Sequence, residues 1–176
     1  GAHSKKPGKL EIAANGTIFL DEIGEMQPEL QARMLRVLQE RVFERVGGTR
    51  SIALKCRLVC ATNRNLAKAV AAGTFRQDLY YRLNVITVQV PPLRARTEDI
   101  PVLVERFMDQ CNRRIGSQLE TIQPDALACL KRYPWPGNIR ELEHLIERIS
   151  VLSEHNSIRM DDLPSEIRLG KPLIHQ

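Results

Sequence analysis

Apolar and polar positions follow two regimes along the chain. Up to about Pro92, short continuous apolar runs alternate with stretches of helical spacing. Thr17-Ile18-Phe19-Leu20 is a compact apolar run and predicts a strand buried on both faces of a parallel sheet. A helix is expected from about Pro28, since proline suits a first turn. Leu30, Met34, Val37 and Leu38 then fall at i, i+4, i+7 and i+8, which places them on one helical face. Val42–Val46, Gly47-Gly48 and Ser51–Leu54 predict a hairpin-like excursion around a glycine turn. Leu58–Ala61 predicts a second buried strand ending at Thr62-Asn63. A short helix near Leu66–Ala72 is stopped by Gly73, and another spans about Phe75–Leu83. Val85–Val90 predicts a third strand, ended by Pro91-Pro92, because proline cannot donate to a ladder.

After Leu93 only helical spacing remains. One helix starts near Pro101, with Val104, Phe107, Met108, Cys111 and Ile115 on a face. Others are expected over Pro124–Arg132, after Pro136-Gly137-Asn138, and near Asp161–Ile167. The fold class is therefore α/β: a partial parallel-sheet core over residues 1–93, a small all-α subdomain over 94–170, and the start of a linker at 171–176.

Composition narrows this picture only a little. The chain has 176 residues, of which 43% are hydrophobic, enough for a core in one ordinary domain or in one domain plus a small appendage. It has no secretory signal pattern and no apolar run long enough to span a bilayer, so a cytoplasmic protein is expected. Cys56, Cys60, Cys111 and Cys129 lack CxxC spacing, which argues against a zinc site or a disulfide framework. The net charge of +5 is scattered among acids and by itself reads as a mixed surface.

Four constellations carry candidate chemistry. Asp21 and Glu22 follow the first strand, at the strand end where ligands of open α/β sheets bind. Asp21 suits Mg²⁺, and Glu22 suits orientation or deprotonation of a water; alternatively, both are solvated loop residues. Thr62 and Asn63 end the second strand and would face the same crevice, although Asn63 and Asn65 equally suit a helix cap. Arg76 and Arg82 lie six residues apart, about 120° on a helix, so they need not share a role. Arginine suits phosphate, and pairing with Asp78 is the alternative. Asn138 as N-cap and Glu141 three residues on would form a capping box, which places Arg140 in a first turn where the helix dipole disfavours a cation.

Taken in order, these segments resemble the AAA+ ATPase domain of sigma-54-dependent bacterial enhancer-binding activators. FLDEIGEM, LQARMLRVLQE, FERVGGT, ATNRNL, FRQDLYYRLNV, PPLRARTEDIP and YPWPGNIRELEHLIER all follow the family pattern, from Gly1 to about Ile167. The resemblance implies ATP and Mg²⁺ as ligands. It makes Asp21 and Glu22 the Walker B pair, with Asp21 on the metal, and Thr62-Asn63 the sensor I segment. It makes Arg76 and Arg82 arginine fingers that reach the nucleotide of a neighbouring subunit, and Arg140 the sensor II arginine of the lid. The excursion from about Arg41 to Leu54 matches an insertion that moves with nucleotide state and supports the sigma-contacting loop.

Implied partners are the sigma-54 RNA polymerase holoenzyme, sibling subunits in a hexameric or heptameric ring, and promoter or enhancer DNA through a domain outside this chain. Two motifs of the family are missing. The phosphate-cradling GxxxxGK[ST] loop does not occur, and only Gly1-Ala2 matches the tail of the GAFTGA sigma-contacting loop. The chain is therefore expected to be a fragment that is inactive alone, with the neighbour of its Val85–Val90 strand missing. Two alternatives remain open at this point: an AAA+ remodeller with another client, or a non-catalytic assembly module.

Overall fold

A computed structural model describes residues 7–45 and 47–170. The expected tail of a sigma-contacting loop at Gly1-Ala2 and the expected linker start at 171–176 lie outside the described residues, as does Val46. The chain forms two compact units, one up to Val88 and one from Gln89.

In the first unit, a short helix α1 (Lys9–Ile12) precedes β1 (Thr17–Leu20). β1 pairs in parallel with β4 (Arg57–Cys60), in the register Thr17↔Arg57 to Leu20↔Cys60. Between them lie α2 (Pro28–Glu40) and an antiparallel hairpin, β2 (Val42–Glu44) and β3 (Ser51–Ala53). The hairpin is closed at its base by Leu54 N–H donating to the Arg41 carbonyl at 2.7 Å. Helices α3 (Leu66–Ala71) and α4 (Gln77–Leu83) follow.

The first core is small. Leu35 and Leu38 of α2 meet Phe75 and Leu79, with Met34, Leu58, Leu66 and Val70 around them. The buried stripe of α2 is Gln31, Leu35 and Leu38, whereas Leu30 is half exposed. The stripe runs one residue later than Leu30 and Met34 suggest, because its first position is an amide, which the spacing of apolar side chains does not reveal.

β1 and β4 are each buried on one face only. Phe19 is 58% and Val59 42% exposed, while Ile18, Leu20, Leu58 and Cys60 face inward. The expected burial on both faces does not hold here because α2, α3 and α4 cover a single face of a two-stranded ladder. Val85–Val90 forms no strand. Among the described residues it has no ladder partner, and Val85, Ile86, Val88 and Val90 are 73–87% exposed. A strand requires a partner for its backbone groups, whatever its side chains favour.

The second unit is helical. Its elements are α5 (Ile100–Ile115), β5 (Thr121–Ile122), α6 (Pro124–Arg132), α7 (Asn138–Leu152), β6 (Ser157–Ile158) and α8 (Ser165–Leu169), with β5 and β6 forming a minimal parallel bridge. α8 begins later than expected because Met160–Asp162 is a separate 3₁₀ turn. Val104, Phe107, Met108 and Cys111 of α5 pack with Leu142, Leu145, Ile146 and Ile149 of α7 around a fully buried Trp135. Ile115, expected on the same face, is 46% exposed at the end of its helix.

Candidate functional site

The parallel register of β1 and β4 brings two loops to one edge of the first unit. The ladder continues past the strands: Ala61 N–H donates to the Leu20 carbonyl (2.9 Å), and Ile23 N–H donates to the Ala61 carbonyl (3.0 Å). Asp21-Glu22 and Thr62-Asn63 therefore leave the sheet side by side. Between them the backbone reverses at Glu22, whose φ of 53° and ψ of 40° are left-handed. A side chain there carries a strain on the order of 1 kcal/mol. The reversal buries Ile23 and leaves both carboxylates exposed. Asp21 Oδ1 accepts the Glu22 N–H at 3.0 Å, the one hydrogen bond to its carboxylate among the described residues. An exposed pair of hard oxygens, one of them unengaged, fits Mg²⁺, which keeps several waters and takes few protein ligands.

Gly24 locks the two loops together. A Cβ at this position would lie 2.6 Å from Thr62 Oγ1 and 3.2 Å from Arg64 Cβ, so only glycine permits the approach. Thr62 Oγ1 accepts the Arg64 N–H at 3.1 Å, which leaves its own O–H free to donate. The two asparagines divide the alternatives. Asn65 caps α3, its Oδ1 accepting the Lys68 N–H at 3.0 Å, whereas Asn63 is exposed and its side chain has no partner among the described residues.

Both candidate finger arginines are tied to α2. Arg76 is the N-cap of α4 rather than part of the helix, so the angular separation expected from helical geometry does not apply. Its backbone N–H donates to Gln31 Oε1 at 2.8 Å. Its guanidinium holds Asp78 through two bonds, of 2.6 and 3.0 Å. The hydrogen bond from Arg76 holds the Asp78 carboxyl below its ordinary range and raises Arg76 in turn. Arg82 donates instead to the Leu38 carbonyl at 3.0 Å.

With Arg41, Lys55 and Arg57, Arg82 lines a cavity of about 540 Å³ beside Asn15, at the start of the strands and away from Asp21. This cation cluster was not foreseen from sequence, because its members come from three separate segments. A second tie joins the hairpin turn to α1: Arg45 Nε and Nη2 donate to the two oxygens of Glu11 at 2.8 and 2.6 Å. That bond lowers the Glu11 carboxyl and raises Arg45.

Arg140 belongs to the second unit, exposed in the first turn of α7. The turn before it contains two left-handed non-glycine residues, Trp135 (φ 49°) and Asn138 (φ 57°). Trp135 is held by its indole N–H donating to the Leu130 carbonyl at 2.8 Å and by an edge-on contact with Tyr133. The expected capping box does not form. Asn138 Oδ1 accepts the Leu93 N–H (2.9 Å), and Glu141 reaches back to the Gly137 N–H (2.8 Å) while its other oxygen accepts the Tyr133 hydroxyl (3.1 Å). Gly137 is the N-cap, and a Cβ there would lie 2.9 Å from Glu141 Cβ.

Residues 1–89 match the Sigma-54 interaction domain, and residues 94–173 match the AAA+ ATPase lid domain. The Nif-specific regulatory protein of Herbaspirillum seropedicae is 53% identical over 152 residues, which cover 86% of this chain and 28% of that protein. Nitrogen fixation protein VnfA of Azotobacter vinelandii is 51% identical over 168 residues, covering 96% and 32%. The chain thus spans about a third of the length of these relatives. Among solved structures, NtrX from Brucella abortus in complex with ATP superposes with a TM-score of 0.87 at 44% identity, covering 96% of this chain and 39% of that one. The NtrX complex with ADP gives 0.85 at 45% identity, covering 92% and 38%.

Proposed function

Because the chain belongs to the AAA+ ATPase family of sigma-54-dependent transcription activators, we propose that it is the downstream part of an ATPase domain that remodels sigma-54 RNA polymerase at promoters. The observation that carries this reading is the shared edge of β1 and β4, where Asp21-Glu22 and Thr62-Asn63 meet.

ATP is the substrate, and Mg²⁺ bound at Asp21 would neutralise charge on its phosphates. Glu22 orients the attacking water and accepts its proton. The unengaged Asn63 amide and the Thr62 O–H read the γ-phosphate by donating to it. Arg140 serves the nucleotide of its own subunit as sensor II. Arg76 and Arg82 serve a neighbour's nucleotide in a homo-oligomeric ring; a finger given in trans is worth roughly 10³–10⁵ in rate. Their place beside α2, with Arg82 near the strand starts, supports a target other than the Asp21 edge. The protein works in the cytoplasm and meets DNA through another domain.

The test is Glu22→Gln in the complete protein. ATP binding should persist while kcat falls by roughly 10²–10⁴, the range a positioned acid or base contributes. Wild-type turnover would remove Glu22 from the reaction. A second reading, an assembly module without catalysis, draws on the exposed apolar residues Phe19, Ile86 and Val88 of the chain as it stands. Phosphate release by the isolated chain decides between the readings: none is expected, since its sequence contains no GxxxxGK[ST] loop to cradle phosphates.

A further inference from the structure

In the first unit one polar side chain is fully buried among the described residues: Gln31, 1% exposed, at the head of the α2 stripe completed by Leu35 and Leu38. An apolar residue would meet the packing requirement at this position, and an amide is tolerated in such a place only when its hydrogen bonds are made. Here they are. Nε2 donates to the Met26 carbonyl (2.8 Å) and the Thr74 carbonyl (3.1 Å), and Oε1 accepts the Arg76 N–H (2.8 Å). Two carbonyls on one side and one N–H on the other leave no ambiguity in the orientation of the amide.

The three partners lie in different segments. Met26 closes the turn after Asp21-Glu22, Thr74 lies in the link from α3, and Arg76 is the N-cap of α4. The Arg76 side chain does not cap α4, whose first turn is served instead by Asp78 Oδ1 accepting the Leu79 N–H at 2.8 Å. On either side of Arg76, Phe75 and Leu79 are buried, at 3% and 0% exposure. The backbone at Arg76 is therefore fixed from within while its guanidinium stays at the surface.

We propose that Gln31 is the positioning residue for Arg76: it anchors the backbone from which the guanidinium reaches the nucleotide of a neighbouring subunit. The inference rests on the assignment of Arg76 as a trans-acting finger. Gln31 itself touches no substrate. Its loss should displace Arg76, and a misplacement of about 1 Å costs up to roughly 100-fold in rate. The subunit's own acid edge should keep working.

Mixed rings of the complete protein separate these roles. Glu22→Gln subunits retain an intact finger, and Arg76→Ala subunits retain an intact acid edge. Mixing the two should restore turnover above that of either alone. Gln31→Met, close in shape but without hydrogen-bonding groups at the amide position, should lower kcat by roughly 10- to 100-fold with unchanged ATP affinity. It should be complemented by Glu22→Gln subunits as Arg76→Ala is. Gln31→Leu, a good helix former, serves the same mixing test if the methionine variant does not fold. Complementation of Arg76→Ala without complementation of the Gln31 variant would overturn the inference, as would wild-type kcat in the Gln31 variant alone. Failure of the Arg76→Ala and Glu22→Gln pair would instead refute the trans role of Arg76, and the inference would fall with it.

Discussion

At the residue scale, neighbouring positions of one type do opposite work. Asn65 holds a helix end, so Asn65→Ala should lower stability by about 1 kcal/mol, as cap removal does. Asn63 holds nothing among the described residues, so Asn63→Ala should leave the unfolding free energy unchanged while impairing hydrolysis in the complete protein. Chemical denaturation of both variants, with steady-state turnover, checks the pair. Gly24 gives a third case. Gly24→Ala would set a methyl group against Thr62 Oγ1 and Arg64 Cβ and push the two loops apart. A loss of about 1–3 kcal/mol is expected from overpacking, together with reduced turnover. Unchanged stability would mean that the loops move apart at no cost.

At the scale of elements, the turn before α7 depends on a buried aromatic corner. Trp135 is fully buried and accounts for much of its packing, so Trp135→Ala should cost about 3–5 kcal/mol in denaturant unfolding. Tyr133, 3% exposed, adds a pH dependence. Burial first, and then its hydrogen bond to Glu141, push its hydroxyl up to about 12. The unfolded chain releases that proton near pH 10. Stability from this group is therefore complete below about pH 10 and is lost as pH rises toward 12, by on the order of 2 kcal/mol. In Tyr133→Phe this loss should vanish, so the wild-type minus variant difference in unfolding free energy should fall across that window. A constant difference would show that Tyr133 titrates normally.

For the whole molecule, the uncovered apolar surface has a consequence in solution. Val85, Ile86, Val88 and Val90 stand 73–87% exposed along a segment without a ladder partner among the described residues, and Phe19 and Val59 lie on the open face of the sheet. Exposed apolar strips with free backbone groups promote association. The isolated chain should self-associate in sedimentation or size-exclusion measurements, and Ile86→Lys with Val88→Lys should reduce this. A strictly monomeric chain at high concentration would contradict that account.

Much of this molecule follows from local pattern alone. Thr17–Leu20 and Leu58–Ala61 are read as strands, α2 and α5 to α7 as helices, and Asp21-Glu22 and Thr62-Asn63 as polar strand ends, because period, cap and turn residues act over a few positions. The motifs that carry the family resemblance are also linear. Other features depended on contacts distant in sequence. That Gln31 is buried and holds Arg76, 45 positions on, follows from α2 packing against α4. That Arg82 joins Arg41, Lys55 and Arg57 follows from the hairpin and strand order. Asn138 looks like a cap by composition, yet its Oδ1 accepts the backbone N–H of Leu93 from another segment. Val85–Val90 has the side chains of a strand, but a strand exists only with a partner for its hydrogen bonds, and side-chain pattern does not supply one.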